Sequence, residues 1–214
     1  MKKWKVVLPI VALGVLLGWN LFLNHHQEAS EDNGWNLILV NEDYYIPEDY
    51  TVELVTLDNG ERVAKRIFLP LQEMFEAAEK DGVYMVVADG YRSKDEQQEM
   101  LDEKADVYQK KVFVKQVAMW MAKKWVANPG TSEHQLGIAV DIHGDSVQSS
   151  NADVYVWLSK HAHEYGFVER YPTDKVEVTG IRYEPWHYRY VGEEAASQMF
   201  KNGLCLEEYL EEIQ

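Results

Sequence analysis

The 214 residues include a single cysteine, Cys205, so no intramolecular disulfide can form. Its position near the C-terminus also argues against a lipidated N-terminal cysteine. Basic residues are scarce, 21 against 36 acidic, for a net charge of -15. That balance excludes nucleic acid as a partner, because phosphate binding relies on a basic patch that displaces counterions. Internal repeats and low-complexity stretches are absent. What is present is ordinary for a packed protein: 46% apolar and 27% charged residues, enough for one domain and a short extra segment.

The extra segment is at the start. Lys2, Lys3 and Lys5 precede Val6 to Leu23, a run of 18 residues with no charge and one amide, Asn20. At 1.5 Å per residue roughly 18–20 residues cross a bilayer core. The lysines predict a cytoplasmic N-terminus. Residues 1–24 therefore read as a signal-anchor, a single transmembrane helix that leaves the remainder extracytoplasmic. The alternative is a cleaved signal peptide and a secreted protein, although the region after Leu23 offers only a weak small-x-small site at Glu28-Ala29-Ser30. Residues 25–34 are polar and read as a tether, and 35–214 as the globular domain.

Leu37 to Val40 reads as a first strand or extended docking segment. Thr51–Leu57 and Arg62–Phe68 flank Asp58-Asn59-Gly60, a hairpin signal. A helix is expected after Pro70, with Leu71, Met74, Phe75 and Ala78 on one face. Val83 to Ala88 reads as a buried strand. Ser93 and Glu96 form a capping-box pattern opening a long helical region, in which Phe113, Val117, Trp120 and Met121 continue an apolar stripe toward Trp125. Asn128-Pro129-Gly130 breaks it. Ile138–Ile142 reads as a strand, the segment around Val154 to His161 as a helix, and Ile181–Glu184 and Tyr188–Val191 as strands. Two short helices split at Gly203 end the chain. The order lacks βαβ regularity, so the class is α+β.

Three segments concentrate reactive side chains. His134 approaches the 138–142 strand, where alternation puts Ile138, Val140 and Ile142 on one face and Gly137, Ala139 and Asp141 on the other. An imidazole and a carboxylate over a floor of small residues suit zinc. In Glu184-Pro185-Trp186-His187 the proline makes a bend plausible that brings Glu184 and His187 to the same cavity. Three protein ligands leave the fourth zinc position open for water. Asp89-Gly90-Tyr91-Arg92-Ser93 lies where a strand hands over to a helix, and Arg92 offers a planar fork for a carboxylate or an oxyanion. Each segment alone is a weak signal; His-x6-Asp is usually no metal site. The three in one chain, in this order, point to a metal-dependent site.

Ser132-x-His134-x-x-Gly137-x-Ala139-x-Asp141 followed by Glu184-Pro-Trp-His187 resembles the VanY-type D-alanyl-D-alanine carboxypeptidases. Their wider group of zinc peptidases includes lysostaphin-type enzymes and the hedgehog signalling domain. Supporting matches are Gly90-Tyr91-Arg92-Ser93, Gly166-Phe167-x-x-Arg170-Tyr171-Pro172, Thr179-Gly180-Ile181 and Arg189-Tyr190-Val191-Gly192. The resemblance runs from about Leu39 to Gly192 and implies the hedgehog/D-Ala-D-Ala-peptidase fold, a central antiparallel sheet with flanking helices. It implies one Zn2+ held by His134, Asp141 and His187, with Glu184 as catalytic base. Arg92 would bind substrate and stabilise charge, with Ser132 in support. The implied reaction is removal of the terminal D-alanine from peptidoglycan stem peptides; separately, the chain is expected to be a monomer. The alternatives are an L,D-carboxypeptidase acting on tetrapeptides, an endopeptidase, and a catalytically silent zinc-containing wall-binding module.

His143, two residues after Asp141, reads as a supporting group rather than a ligand. His161 reads as a core histidine and His163 as exposed. Arg170 and Arg189 read as structural braces. Trp186 reads equally as pocket lining or core, and Cys205 as a small buried hydrophobe.

Overall fold

A run of alternating large apolar and small residues over 138–142 makes the strand on which the domain is built. The structure, a computed structural model, describes residues 27–213. The predicted anchor over 1–24 lies outside the described residues, and among those described no helix is long and apolar enough to cross a membrane. In chain order the strands are β1 (Gln27–Glu28), β2 (Tyr44–Tyr45), β3 (Leu54–Thr56), β4 (Arg62–Ala64), β5 (Met85–Asp89), β6 (Ala139–Gly144), β7 (Phe167–Glu169) and β8 (His187–Tyr190). The helices are α1 (Lys65–Lys80), α2 (Lys94–Gln109), α3 (Lys115–Ala122), α4 (Asn151–His161), α5 (Val176–Thr179), α6 (Glu193–Asn202) and α7 (Leu206–Glu212). The central sheet runs β5-β6-β8-β7 with every pair antiparallel, as the α+β reading expected.

Ile138, Val140 and Ile142 enter the main core with Val63 of β4 and Ile67, Leu71, Met74 and Ala78 of α1. Burying each large aliphatic side chain contributes about 1.5–3 kcal/mol. Leu37–Val40 is an extended docking segment outside the sheet. Its alternation sends Ile38 and Val40 into the main core, and Leu37 and Leu39 against a second cluster built on Val191, Met199 and Leu206.

Several expectations need correcting. The hairpin strands are only three residues each, because α1 starts at Lys65 rather than after Pro70. The buried stripe Ile67, Leu71, Met74, Ala78 extends a turn further back, and its packing outweighs the backbone bond that Pro70 cannot make. The Ser93–Glu96 capping box forms, but the helical region breaks after Gln109 and resumes as α3. There the buried residues are Ala118 and Ala122, small enough for close approach to α2, while Phe113, Val117 and Trp120 face solvent. Residues 181–184 form no strand; β7, which the sequence did not reveal as a strand, occupies the sheet edge beside β8. The segment read as a tether is laid against the domain from Gln27 onward: β1 pairs in parallel with β2, and Ala29 is buried.

Candidate metal centre

β6 and β8 are neighbours, and their register sets Asp141 directly opposite His187. Asp141 Oδ1 lies 2.9 Å from His187 Nδ1 and 3.4 Å from His134 Nε2. The three donor atoms lie within 4.8 Å of one another. Tetrahedral bonds of about 2.0–2.1 Å place zinc ligand atoms about 3.3 Å apart, so the cluster has the size of a single ion's coordination shell. His134 arrives from a one-turn 3-10 helix, Glu133–Leu136, closed by Gly137 at φ 72°. That positive φ is costly for any residue with a Cβ.

Each imidazole is held by its other nitrogen. His134 Nδ1 donates to the Gly90 carbonyl at 2.7 Å, leaving Nε2 free to ligate. His187 Nε2 faces Glu133 Oε2 at 3.3 Å. Partners of this kind fix the tautomer and aim of a metal-binding histidine, and two imidazoles with one carboxylate fit zinc.

Burial opposes the charge on Asp141, but hydrogen bonds from His134 and His187 hold its carboxyl well below the usual range. Burial also opposes the His187 imidazolium, yet Asp141 and Glu133 push its pKa up to about 9. Glu133 is itself buried; Arg170, Arg189 and His187 overcome that cost and keep it ionised far below the ordinary carboxylate range. Arg170 Nε and Arg189 Nη1 donate to Glu133 Oε1 at 2.8 and 2.9 Å, so both arginines brace the site from beneath.

The Glu184-Pro-Trp-His187 segment is a turn. The His187 N–H donates to the Glu184 carbonyl at 3.1 Å, with Pro185 at the first corner, where its fixed φ suits the bend. The Glu184 carboxylate is half-buried beside the cluster. Burial raises its pKa, with His187 and Arg92 pulling it down and Asp141 and Glu133 pushing it up. Its affinity for a proton is therefore above that of a surface glutamate.

Arg92 follows β5, where the register shifts between Val87 and Asp89, a bulge of the kind that re-aims a chain beside a site. Its Nε lies 3.3 Å from Asp89 Oδ2, its Nη1 donates to Gln97 Oε1 at 2.7 Å, and its N–H donates to the His134 carbonyl at 3.2 Å. Ser132 lies buried immediately before the 3-10 helix, two residues from His134, whose carbonyl accepts the Arg92 N–H.

His143 is outside the donor cluster, and its Nδ1 is hydrogen-bonded to the Tyr155 hydroxyl at 2.7 Å. Among the described residues, two further histidines are both part-buried: His161 lies 4.8 Å from the Trp157 ring and pairs with Glu164, and His163, expected to be exposed, stacks on Phe200 at 3.7 Å. Sequence reasoning missed Glu133, Tyr171, whose ring lies 5.0 Å from that of His187, and the Gly90 carbonyl. All three lie inside the motifs named above, but a backbone acceptor and a buried counter-charge have no residue signature of their own.

Similarity to known proteins is consistent along most of the domain. A sequence profile of the VanY family, described as D-alanyl-D-alanine carboxypeptidase, matches residues 60–193. A D-alanyl-D-alanine carboxypeptidase of Enterococcus faecalis (strain ATCC 700802 / V583) is 52% identical over 184 residues, 86% of this chain and 69% of that protein. The solved structure of VanYB in complex with D-alanine-D-alanine superposes with a TM-score of 0.79 at 54% identity, covering 83% of this chain and 98% of that one. A mutant of the vancomycin-resistance D,D-pentapeptidase VanY from the VanB-type cassette, solved in complex with Zn(II), superposes with a TM-score of 0.78 at 54% identity, covering 82% of this chain and 99% of that one.

Proposed function

The chain belongs to the VanY family of D-alanyl-D-alanine carboxypeptidases, and from that premise we propose how its own residues perform the cleavage. It is a zinc carboxypeptidase, and peptides ending in D-Ala-D-Ala are its substrates. His134, Asp141 and His187 hold the ion. The observation that supports this assignment is the convergence of three donors, with the second nitrogen of each imidazole already occupied by Gly90 or Glu133. A bound zinc supplies Lewis acidity, acidifying water and polarising a carbonyl.

The remaining roles fall to side chains around the cluster. Glu184 takes a proton from the attacking water as its oxygen adds to the scissile carbonyl carbon. It then delivers that proton to the leaving D-alanine nitrogen as the C–N bond breaks. Its raised proton affinity suits both transfers near neutral pH. Arg92, with Ser132 beside it, binds the substrate's terminal carboxylate, which selects the last peptide bond. Residues 1–24 hold the domain on the outer side of the membrane, a reading supported by the three lysines before the apolar run.

The test is Glu184→Gln, with zinc content and D-alanine release from D-Ala-D-Ala-terminated muropeptides measured on the same preparation. The variant is expected to retain one zinc per chain while release falls about 10²–10⁴-fold. Undiminished release would remove Glu184 from the mechanism.

A further inference from the structure

The hairpin of α2 and α3 carries a surface that hydrolysis does not use. Phe113 is 105% exposed, Trp120 63% and Trp125 53%, with Val114 and Val117 beside them. Val117 and Trp120 are i, i+3 neighbours on α3, turned away from the buried Ala118 and Ala122. Aromatic side chains of about 150–250 Å² each leave roughly 400 Å² of ring surface in water here. The largest apolar patch on a folded monomer is commonly about this size and is often functional.

The segment that carries these rings is opposite in charge to the chain, while α2, the other arm of the hairpin, carries exposed Asp102, Glu103 and Asp106. Residues 110–125 contain Lys110, Lys111, Lys115, Lys123 and Lys124, all exposed, and no acidic residue, in a protein of net charge -15. The lysines lie over aromatic faces: Lys111 Nζ is 5.8 Å from the Tyr108 ring centroid and Lys124 Nζ 5.4 Å from that of Trp120. Exposed indole and phenyl rings bordered by lysine, on a short amphipathic helix, match the headgroup zone of an anionic bilayer. Rings settle at the boundary there, and ammonium groups meet lipid phosphates.

The described chain also enters near this surface. β1 pairs with β2, and the next residue, Ile46, donates to the Gly130 carbonyl at 2.9 Å, five residues beyond Trp125. At about 3.3–3.6 Å per residue, and with the two cross-chain steps added, this places the entry within about 35 Å of Trp125. In sequence, only residues 24–26 separate that entry from the end of the apolar run.

We propose that the 110–125 face docks on an anionic lipid bilayer, so that the domain lies on the membrane in a fixed orientation. Arg182, two residues before Glu184, lies 4.5 Å from the Trp125 ring centroid, which ties this face to the rim of the hydrolytic site. The proposal rests in part on the membrane anchor proposed above.

The test uses the full chain reconstituted in phosphatidylcholine vesicles with and without phosphatidylglycerol. Cys205 is buried, so a nitroxide on V117C reports that position and one on K201C serves as a control on α6. With phosphatidylglycerol present, collisions of the V117C label with oxygen relative to a water-soluble nickel chelate are expected to rise several-fold, and those of K201C to stay unchanged. Replacing the five lysines with glutamine is expected to abolish the rise while D-alanine release from a soluble peptide persists. If the chain floats with the vesicles but the V117C label stays in water, the docking face is refuted and the anchor stands. If the chain does not float with either vesicle, both fall. Protection of the label without vesicles, growing with protein concentration, would assign the face to a second copy and overturn the proposal.

Discussion

Asp141 and His187 are cross-strand partners, opposite each other on β6 and β8, and the same 2.9 Å contact that joins their side chains joins two of the three candidate metal donors. Sheet register, rather than a loop, therefore sets this part of the site's geometry. A one-residue slip of β8 would send His187 to the apolar face.

Asp141→Asn preserves the shape of this pair and removes its charge. Zinc affinity is expected to fall by more than about 100-fold, beyond the effect of losing an outer hydrogen bond. Competition with a chromophoric chelator reads this directly, and unchanged affinity would remove Asp141 from the donor set.

Protons compete with the metal at His187. In the metal-free protein its pKa is pushed up to about 9, against burial, by Asp141 and Glu133, whereas ligation needs the neutral ring. Zinc binding at pH 7 should release a proton from this residue. Apparent affinity should weaken about tenfold for each pH unit below 9. Calorimetry in buffers of differing ionisation heat measures the release; a binding heat independent of buffer would contradict it.

Much of this site was legible in the sequence. Alternation over 138–142 assigned Asp141 to the side away from the core, and Pro185 announced the turn that brings Glu184 near His187. The α3 stripe was misread because period alone does not tell which face is buried; the alanines, not the aromatics, meet α2. The start of α1 was misread because Pro70 looked like a beginning, when tertiary packing of Ile67 decided it. Glu133 remained hidden because its role exists only once Arg170, Arg189 and His187, from distant segments, close around it.

Glu133→Gln leaves two buried guanidiniums without their shared counter-charge, although Arg170 keeps Glu207 and Arg189 keeps the Asn36 and Ile38 carbonyls. A loss of about 3 kcal/mol or more in urea unfolding is expected. Because the folded pKa of Glu133 is depressed, its stabilisation is present above the ordinary carboxylate range and is lost as pH falls through the folded value. The variant should therefore show a flatter fall in stability at acid pH. Equal acid sensitivity in both proteins would refute that role.

Gly90→Ala tests the support behind His134. An added Cβ would stand 2.2 Å from the Arg62 carbonyl oxygen, so backbone has to move, and with it the Gly90 carbonyl that fixes the His134 ring. Zinc affinity is expected to drop about 10–100-fold, as for lost outer-shell bonds. Native affinity in a folded Gly90→Ala protein would show that the carbonyl is dispensable.

β8 comes last among the strands in sequence yet lies between β6 and β7. A chain emerging N-terminus first thus has β6 and β7 ready with a gap between them until residues 187–190 arrive. Until then two strand edges are open to mispairing, and no donor set exists. Metal capture consequently reports the arrival of β8, and a chain cut short before Trp186 keeps His134 and Asp141 but lacks the third donor.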